Sequence, residues 1–167
     1  MDKGIYLRDA DMNDALILLD WANDKVAREN AFNSHTITMQ EHLDWLKNVL
    51  DDERKHQYIL MRNDKPIGQI RLIIDDSTAE IDYSISKDER NYGYGTEIIK
   101  LAVELIRKEY PNVEKLIGKV KPSNVASFIC FSKNGFEEKF QQMEYNMKSN
   151  ATNATSSEYG EFGDLGG

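Results

Sequence analysis

Two groups of residues in this chain have the types and spacing for chemistry. The first is the run Arg90-Asn91-Tyr92-Gly93-Tyr94-Gly95-Thr96, between an apolar-alternating stretch, Ala79 to Ser86, and a helical run, Glu97 to Tyr110. Glycines two apart let the backbone turn sharply and come close to a ligand with no Cβ in the way. A helix starting at such a turn aims its unpaired N–H groups at it, which suits an anion such as phosphate. A plain strand-to-helix turn uses the same residues, so the run alone leaves both readings open. It is not a P-loop, because no Gly-Lys-Ser/Thr follows, and it lacks the third glycine and the early strand of a dinucleotide fingerprint. The second group is Glu80 and Asp82 on the strand before the loop. Two apart, they share one face of the strand. A carboxylate in a half-dry cleft has its pKa raised and becomes able to take a proton. Glu80 is the first candidate for a base and Asp82 the second, the alternative being that they are solvent-facing strand acids.

Further along the chain come Asn124-Val125-Ala126-Ser127 and Phe131-Ser132-Lys133-Asn134-Gly135-Phe136. With Arg90, Gly93 and Gly95, and in this order, they resemble the pyrophosphate loop and the following helix of the GNAT family, the acetyl-CoA-dependent N-acetyltransferases. The resemblance runs from about Ile5 to Lys148. It implies that acetyl-CoA is the co-substrate, with no metal, and that the acetyl group moves to a primary amine by direct attack in a ternary complex. It implies that the backbone of Ser84-Ile85-Ser86 faces the acetyl carbonyl and the pantetheine amides. The pyrophosphate then lies on Asn91, Tyr92, Gly93, Tyr94, Gly95 and Thr96, with Arg90 beside it. Asn124 holds the pantetheine arm, and Ser127, Phe131 and Lys133 complete the coenzyme side. Many relatives place tyrosine where this chain has Phe131, and that tyrosine protonates the leaving thiolate. Phenylalanine cannot, which leaves Tyr83 and Tyr92 as possible donors. Cys130 is read as a small core residue.

The region after the first helix resembles a GNAT subgroup acting on the 4-amino group of nucleotide-linked amino-deoxy sugars in pseudaminic acid and surface-polysaccharide pathways. That likeness places the substrate against Trp21, Asn23, Phe32 and His35 and makes a UDP-linked amino sugar the expected acceptor. The subgroup's Trp-Arg-Asn is Trp21-Ala22-Asn23 here. A protein N-terminus, a small polyamine or an antibiotic remains open as acceptor, and so does a non-catalytic acyl-CoA-binding module. His35 and His42 are read as surface residues. His35, His42, His56 and Cys130 lack metal-ligand spacing, so no metal is expected.

Composition sets the frame. The chain has 167 residues, of which 40% are hydrophobic and 10% aromatic, with a net charge of −8. That length suits one domain. An acidic balance argues against a nucleic-acid partner held by a general basic field. One cysteine allows no internal disulfide. The start Met1-Asp2-Lys3-Gly4 is not a signal peptide, and no apolar run is long enough to span a membrane, so a cytoplasmic protein without a membrane partner is expected. Monomer and homodimer both remain open.

The elements that must position these residues follow from periodicity and punctuation. Ile5 to Arg8 reads as a strand. Asp11 or Asn13 caps a helix through Trp21 with Leu16, Ile17 and Leu19 on its buried side. Residues Asn23 to Thr36 read as irregular. Thr38-Met39-Gln40-Glu41 is a capping box opening a helix that buries Leu43, Leu46 and Leu50. Gln57 to Arg62 and Ile67 to Ile74 form a hairpin around Asn63 to Pro66. The strand Ala79 to Ser86, the loop, the helix to Tyr110, a strand Leu116 to Val120 and a helix Val125 to Lys133 follow. Phe136 to Phe140 and Met143 to Met147 read as a closing hairpin. The fold class is α+β: the GNAT fold, a mixed, mostly antiparallel sheet of about seven strands with about four helices. Residues 1–148 form the domain. Residues 149–167 form a polar tail with three acids and no base, expected to be flexible. Its Asn-Ala-Thr repeats match glycosylation acceptors but are discounted for want of a secretory signal.

Overall fold

The computed structural model describes residues 4–33 and 35–150; the tail expectation lies outside the described residues from position 151 on. The chain divides into two units, Met1–Glu137 and Glu138–Gly167.

In the first unit, β1 (Ile5–Asp9), β2 (Lys55–Arg62), β3 (Lys65–Asp75), β4 (Thr78–Ile85) and β5 (Lys115–Gly118) form a five-stranded sheet in the order of the sequence. The first three pairings are antiparallel, and β4 with β5 is parallel. A parallel neighbour requires a crossover. Helix α4 (Tyr94–Glu109) supplies it. The helices α1 (Ala15–Ala22), α2 (Lys25–Asn30) and α3 (Met39–Asp51) precede the hairpin, and α5 (Val125–Lys133) follows β5.

Helices cover both faces of the sheet, which is why β2 reads as a continuous apolar run from Tyr58 to Met61. On one face Leu60, Ile70, Leu72, Ala79 and Ile81 pack with Ile98, Ile99, Ala102 and Ile106 of α4 and Phe131 of α5. On the other, Ile59 and Met61 pack with Ala15, Leu18 and Trp21 of α1 and Leu46 of α3. Each fully buried aliphatic side chain contributes roughly 1.5–3 kcal/mol relative to exposure.

Several expectations need correction. Among the described residues the sheet has five strands, not seven: residues 136–146 carry no strand and are followed by a one-turn helix, α6 (Met147–Asn150). Alternation marks a segment able to pair, but pairing also needs a free sheet edge in register, which no local pattern supplies. Helix α1 buries Ala15, Leu18 and Trp21, while Leu16 is 72% exposed. Ala15, Leu18 and Trp21 stand three apart on one stripe, so the buried face is set by the small Ala15 and the large Trp21 rather than by the leucines. Residues 25–30, read as irregular, form α2, capped by the Asp24 carboxylate, which accepts from the Ala27 N–H. Helix α4 begins three residues earlier than expected, inside the glycine run. His42 is not a surface residue: it is 2% exposed and stacks on Trp45.

Candidate active site

The site begins where the parallel ladder stops. Strand β5 pairs with β4 from Thr78 to Ile81, the last partner being Gly118. Strand β4 continues to Ile85. On its other side β4 remains fully laddered to β3, and the Ser86 N–H donates to the Ile67 carbonyl at 2.9 Å. In an antiparallel pair successive residues alternate between facing the neighbour and facing away. The N–H groups of Tyr83 and Ile85 therefore point towards the gap that β5 leaves. Those of Ser84 and Ser86 point into the sheet. Of the stretch Ser84-Ile85-Ser86, Ile85 alone has its backbone donor facing the gap, and the expectation of backbone donation from Ser84 and Ser86 is corrected. The Ser84 hydroxyl accepts from Gln69 Nε2 at 3.1 Å.

The glycine run closes the end of this gap. Gly93 is the N-cap of α4 in the left-handed region, φ 86°, and Asn91 shares that conformation at φ 70°. Glycine and asparagine are the residues that tolerate it. A glycine cap has no side chain to satisfy the first-turn N–H groups, so those of Tyr94, Gly95 and Thr96 face outward with the positive end of the helix dipole. A Cβ at Gly93 would meet nothing within 4 Å, so the space beside it is open. Gly95 serves another purpose. A Cβ there would lie 2.8 Å from Cys130 Sγ, so its absence lets α4 approach α5.

Side chains outside the run hold it in place. Glu89 is buried, and its carboxylate takes Arg62 Nη1 at 2.8 Å and Lys65 Nζ at 2.7 Å. These bonds, Lys65 first, hold its carboxyl below the usual carboxylate range. Arg62 also donates to the Tyr94 hydroxyl at 2.7 Å. Arg90 is held at two points. Its Nε donates to the Ile85 carbonyl at 3.1 Å and its Nη2 to Asp24 Oδ2 at 2.7 Å. A cavity of about 310 Å³ lies beside this pair, lined by Asp20, Trp21, Asn23, Asp24, Ser86, Lys87, Asp88 and Arg90. Sequence reasoning missed Arg62, Lys65, Glu89 and Asp24, because isolated charges give no local sign of a partner tens of residues away.

The two strand acids separate. Glu80 pairs with Lys119 Nζ at 3.5 Å and lines a cavity of about 480 Å³ at the start of β4, with Arg54, Ser77 and Thr78. Asp82 lies nearer the gap, with Arg71 Nη2 at 3.2 Å. Its side chain is 62% accessible. Loss of solvent there pushes its pKa up, Glu80 adds to the rise, and Arg71 and Arg28 oppose it. The Arg71 guanidinium lies 5.3 Å from the Trp45 ring centroid, so packing fixes the group that steers Asp82.

On α5, Asn124 is the N-cap, accepting from the Ser127 N–H at 3.2 Å. The Ser127 hydroxyl accepts from Tyr83 Oη at 3.1 Å. Phe131 is buried against Tyr83 and Phe136, and Lys133 is on the exposed face. Asn134 Nδ2 donates to the Thr96 carbonyl at 3.0 Å, tying the end of α5 to the start of α4.

The expected acceptor residues do not form one cluster. Trp21 is buried in the α1–α3 core and presents one edge to the 310 Å³ cavity. Asn23 uses both ends of its amide on Ile37, at 2.8 Å each, and so clamps the loop before α3. Phe32 is 71% exposed beneath Lys121, whose ammonium is 5.9 Å from the ring centroid. His35 is exposed, with Nε2 3.6 Å from Glu41.

The strand pair β4–β5 unzips towards a glycine-capped helix start. A model of the acetyltransferase (GNAT) domain matches residues 5–137. The chain belongs to the GNAT acetyltransferase family. Two curated GNAT relatives are aminoglycoside N(6')-acetyltransferases type 1 from Klebsiella pneumoniae and Serratia marcescens. Each is 28% identical over 109 residues, covering 57% of this chain and 54% of the relative. The chain thus spans about half the length of the curated relatives it matches. Among solved GNAT structures, AAC(6')-Ib in complex with ribostamycin and coenzyme A is 25% identical with a TM-score of 0.74, covering 82% of this chain and 85% of that one. Spermidine N-acetyltransferase from Vibrio cholerae, in complex with CoA and spermine, shares the fold at a TM-score of 0.78 and 18% identity, over 84% and 85% of the two chains. Among the described residues no cluster of three or more His, Cys, Asp or Glu could hold a metal, and no helix is long and apolar enough to cross a membrane.

Proposed function

We propose that the protein is an N-acetyltransferase that moves the acetyl group of acetyl-CoA to a small-molecule primary amine. The observation that carries this is the unzipped end of β4. The Tyr83 and Ile85 N–H groups face a gap that opens onto the uncapped start of α4, so donors for a thioester arm and for a pyrophosphate lie along one groove. The pyrophosphate takes the N–H groups of the Asn91 to Thr96 run, and the thioester carbonyl takes the Ile85 N–H, where negative charge grows as the amine attacks. Arg90 acts as a strut rather than as a phosphate ligand. Asn124 has its side-chain oxygen engaged in the cap, which leaves the amide NH₂ as its coenzyme contact.

Asp82, not Glu80, is the base in this reading. It stands closer to the gap, its pKa is shifted upward, which favours proton acceptance, and Arg71 pairs with it. Asp20, Asp24 and Asp88 give the 310 Å³ cavity an acidic character that favours a cationic amine, in keeping with aminoglycoside and polyamine ligands in the solved relatives. A second reading, a UDP-linked 4-amino sugar, is favoured by Phe32 and Lys121, an exposed ring with a cation above it that suits a nucleotide base and phosphate. Steady-state rates with ribostamycin, spermidine and a UDP-4-amino-4,6-dideoxy sugar decide between them. Exclusive turnover of the nucleotide sugar overturns the cationic-amine reading.

A further inference from the structure

Breaking the thioester leaves a thiolate that must be protonated to depart as coenzyme A. Phe131 has no proton to give, and the tip of its ring is spent on packing: a Cβ on Gly118 would collide with Cζ. Tyr92 is 71% exposed. Tyr83 is placed differently. It is two residues past Ile81, where the β5 ladder ends. Its hydroxyl donates to Ser127 in the first turn of α5, and a Cβ on Gly95, in the first turn of α4, would lie 3.6 Å from it. The phenol tip therefore sits between the starts of two helices. The ring is fixed edge-on to Phe131 at 5.7 Å.

We propose that Tyr83 is the catalytic acid that protonates the departing thiolate, the role Phe131 cannot fill; this rests on the acetyl-transfer reading above. The neutral amine nitrogen attacks the thioester carbonyl carbon, forming the C–N bond and a tetrahedral oxyanion. The C–S bond breaks with its electron pair on sulfur, and the Tyr83 hydroxyl proton passes to that sulfur. The surplus proton of the amine goes to Asp82. Asp82 then releases it to water, and the Tyr83 phenolate regains one from water, so amine and thioester become amide and thiol. Two helix starts beside the phenol favour the transient negative charge on sulfur and on oxygen. Burial, above all, with Cys130 and Asp82 as the titratable neighbours, pushes the Tyr83 pKa up and keeps it protonated at neutral pH, while its bond to Ser127 opposes the rise.

The test compares Tyr83→Phe with wild type, using acetyl-CoA and its selenoester analogue as donors, and ribostamycin and the UDP-amino sugar as acceptors. A selenolate is a weak base and leaves without protonation. The expected result is an unchanged coenzyme Kd, a kcat on acetyl-CoA lower by roughly 100-fold or more, and little loss on the selenoester. An equal loss on both donors, or loss of coenzyme binding in step with kcat, makes Tyr83 a packing residue and overturns the proposal. An unchanged kcat on acetyl-CoA overturns it as well. Wild-type protein that binds acetyl-CoA but turns over neither amine overturns the transferase reading itself, and this inference with it.

Discussion

Arg90 and Asp24 meet at 2.7 Å and join the glycine run to the start of α2, elements 66 residues apart in the chain. The Asp24 carboxylate has two tasks, since it also caps α2 through the Ala27 N–H. The glycine run and the start of α2 are thereby mechanically joined. A residue whose guanidinium is held at both ends inside the protein positions the loop and does not need to touch phosphate.

That assignment predicts non-additivity. Arg90→Gln and Asp24→Asn should each raise the coenzyme Kd several-fold, and the double variant should be no worse than either single one. Asparagine retains the cap, so Asp24→Asn isolates the ion pair. A coupling of about 1 kcal/mol in denaturant unfolding is expected for a partly exposed pair. Isothermal titration with acetyl-CoA checks the affinity. Strictly additive losses would mean that Arg90 binds the coenzyme itself.

The two glycines should fail in different ways. At Gly93 the left-handed φ is the constraint, and the space beside it is open. Gly93→Asn should keep the fold but place a side chain in the phosphate position and weaken coenzyme binding. Gly93→Val should lose about 1–2 kcal/mol of stability in addition, from backbone strain. Gly95→Ala forces a Cβ onto Cys130 Sγ. It should lower Tm, and the second substitution Cys130→Ala should restore much of the loss. Thermal unfolding of the four proteins distinguishes the cases.

For Asp82, the raised pKa places the acid limb of kcat/KM above the usual carboxylate range, with activity rising as pH passes through it. Asp82→Asn should abolish that limb and cost roughly 10²- to 10⁴-fold in rate. Glu80→Gln, which removes the pair with Lys119, should leave the limb in place. A pH profile of each variant checks the assignment, and loss of the limb in Glu80→Gln would reverse it.

Stability should fall in acid for identifiable reasons. Asp14 is held low chiefly by its bonds to Arg8, at 2.8 and 2.9 Å, and Glu89 by Lys65 and Arg62. Depressed carboxylates bind fewer protons in the folded state than in the unfolded one. Their contribution is therefore complete above the unfolded values near 4 and disappears as pH falls through the folded ones. His42 acts in the same direction at higher pH. Burial lowers its pKa, so the unfolded chain gains a proton near pH 6.5 that the folded one refuses. Tm should start to drop below about pH 6.5 and drop more steeply below about pH 4. His42→Gln should remove the first step, and Tm against pH by calorimetry reads both.

The elements around the loop were legible because their signals are local. The β3–β4 alternation, the Thr38 to Glu41 capping box and the apolar stripe of α4 each lie within a few turns of chain. The same locality explains what was not legible. Asp82 and Glu80 are told apart only by where β5 stops and where Arg71 stacks on Trp45, both set by tertiary contacts. Asn23 looked like a ligand contact and is a loop clamp, because Ile37 is 14 residues away. Residues 136–146 have the alternation of strands without a place in the described sheet.

The most direct measurement is release of free coenzyme A thiol from acetyl-CoA in the presence of ribostamycin, spermidine and a UDP-4-amino-4,6-dideoxy sugar, with the N-acetylated product confirmed by mass. The structure-based account predicts amine-dependent thiol release with one of these acceptors and its loss in Asp82→Asn. Tight binding of acetyl-CoA with no amine-dependent release from any of them would contradict it and leave an acyl-CoA-binding module without transferase activity.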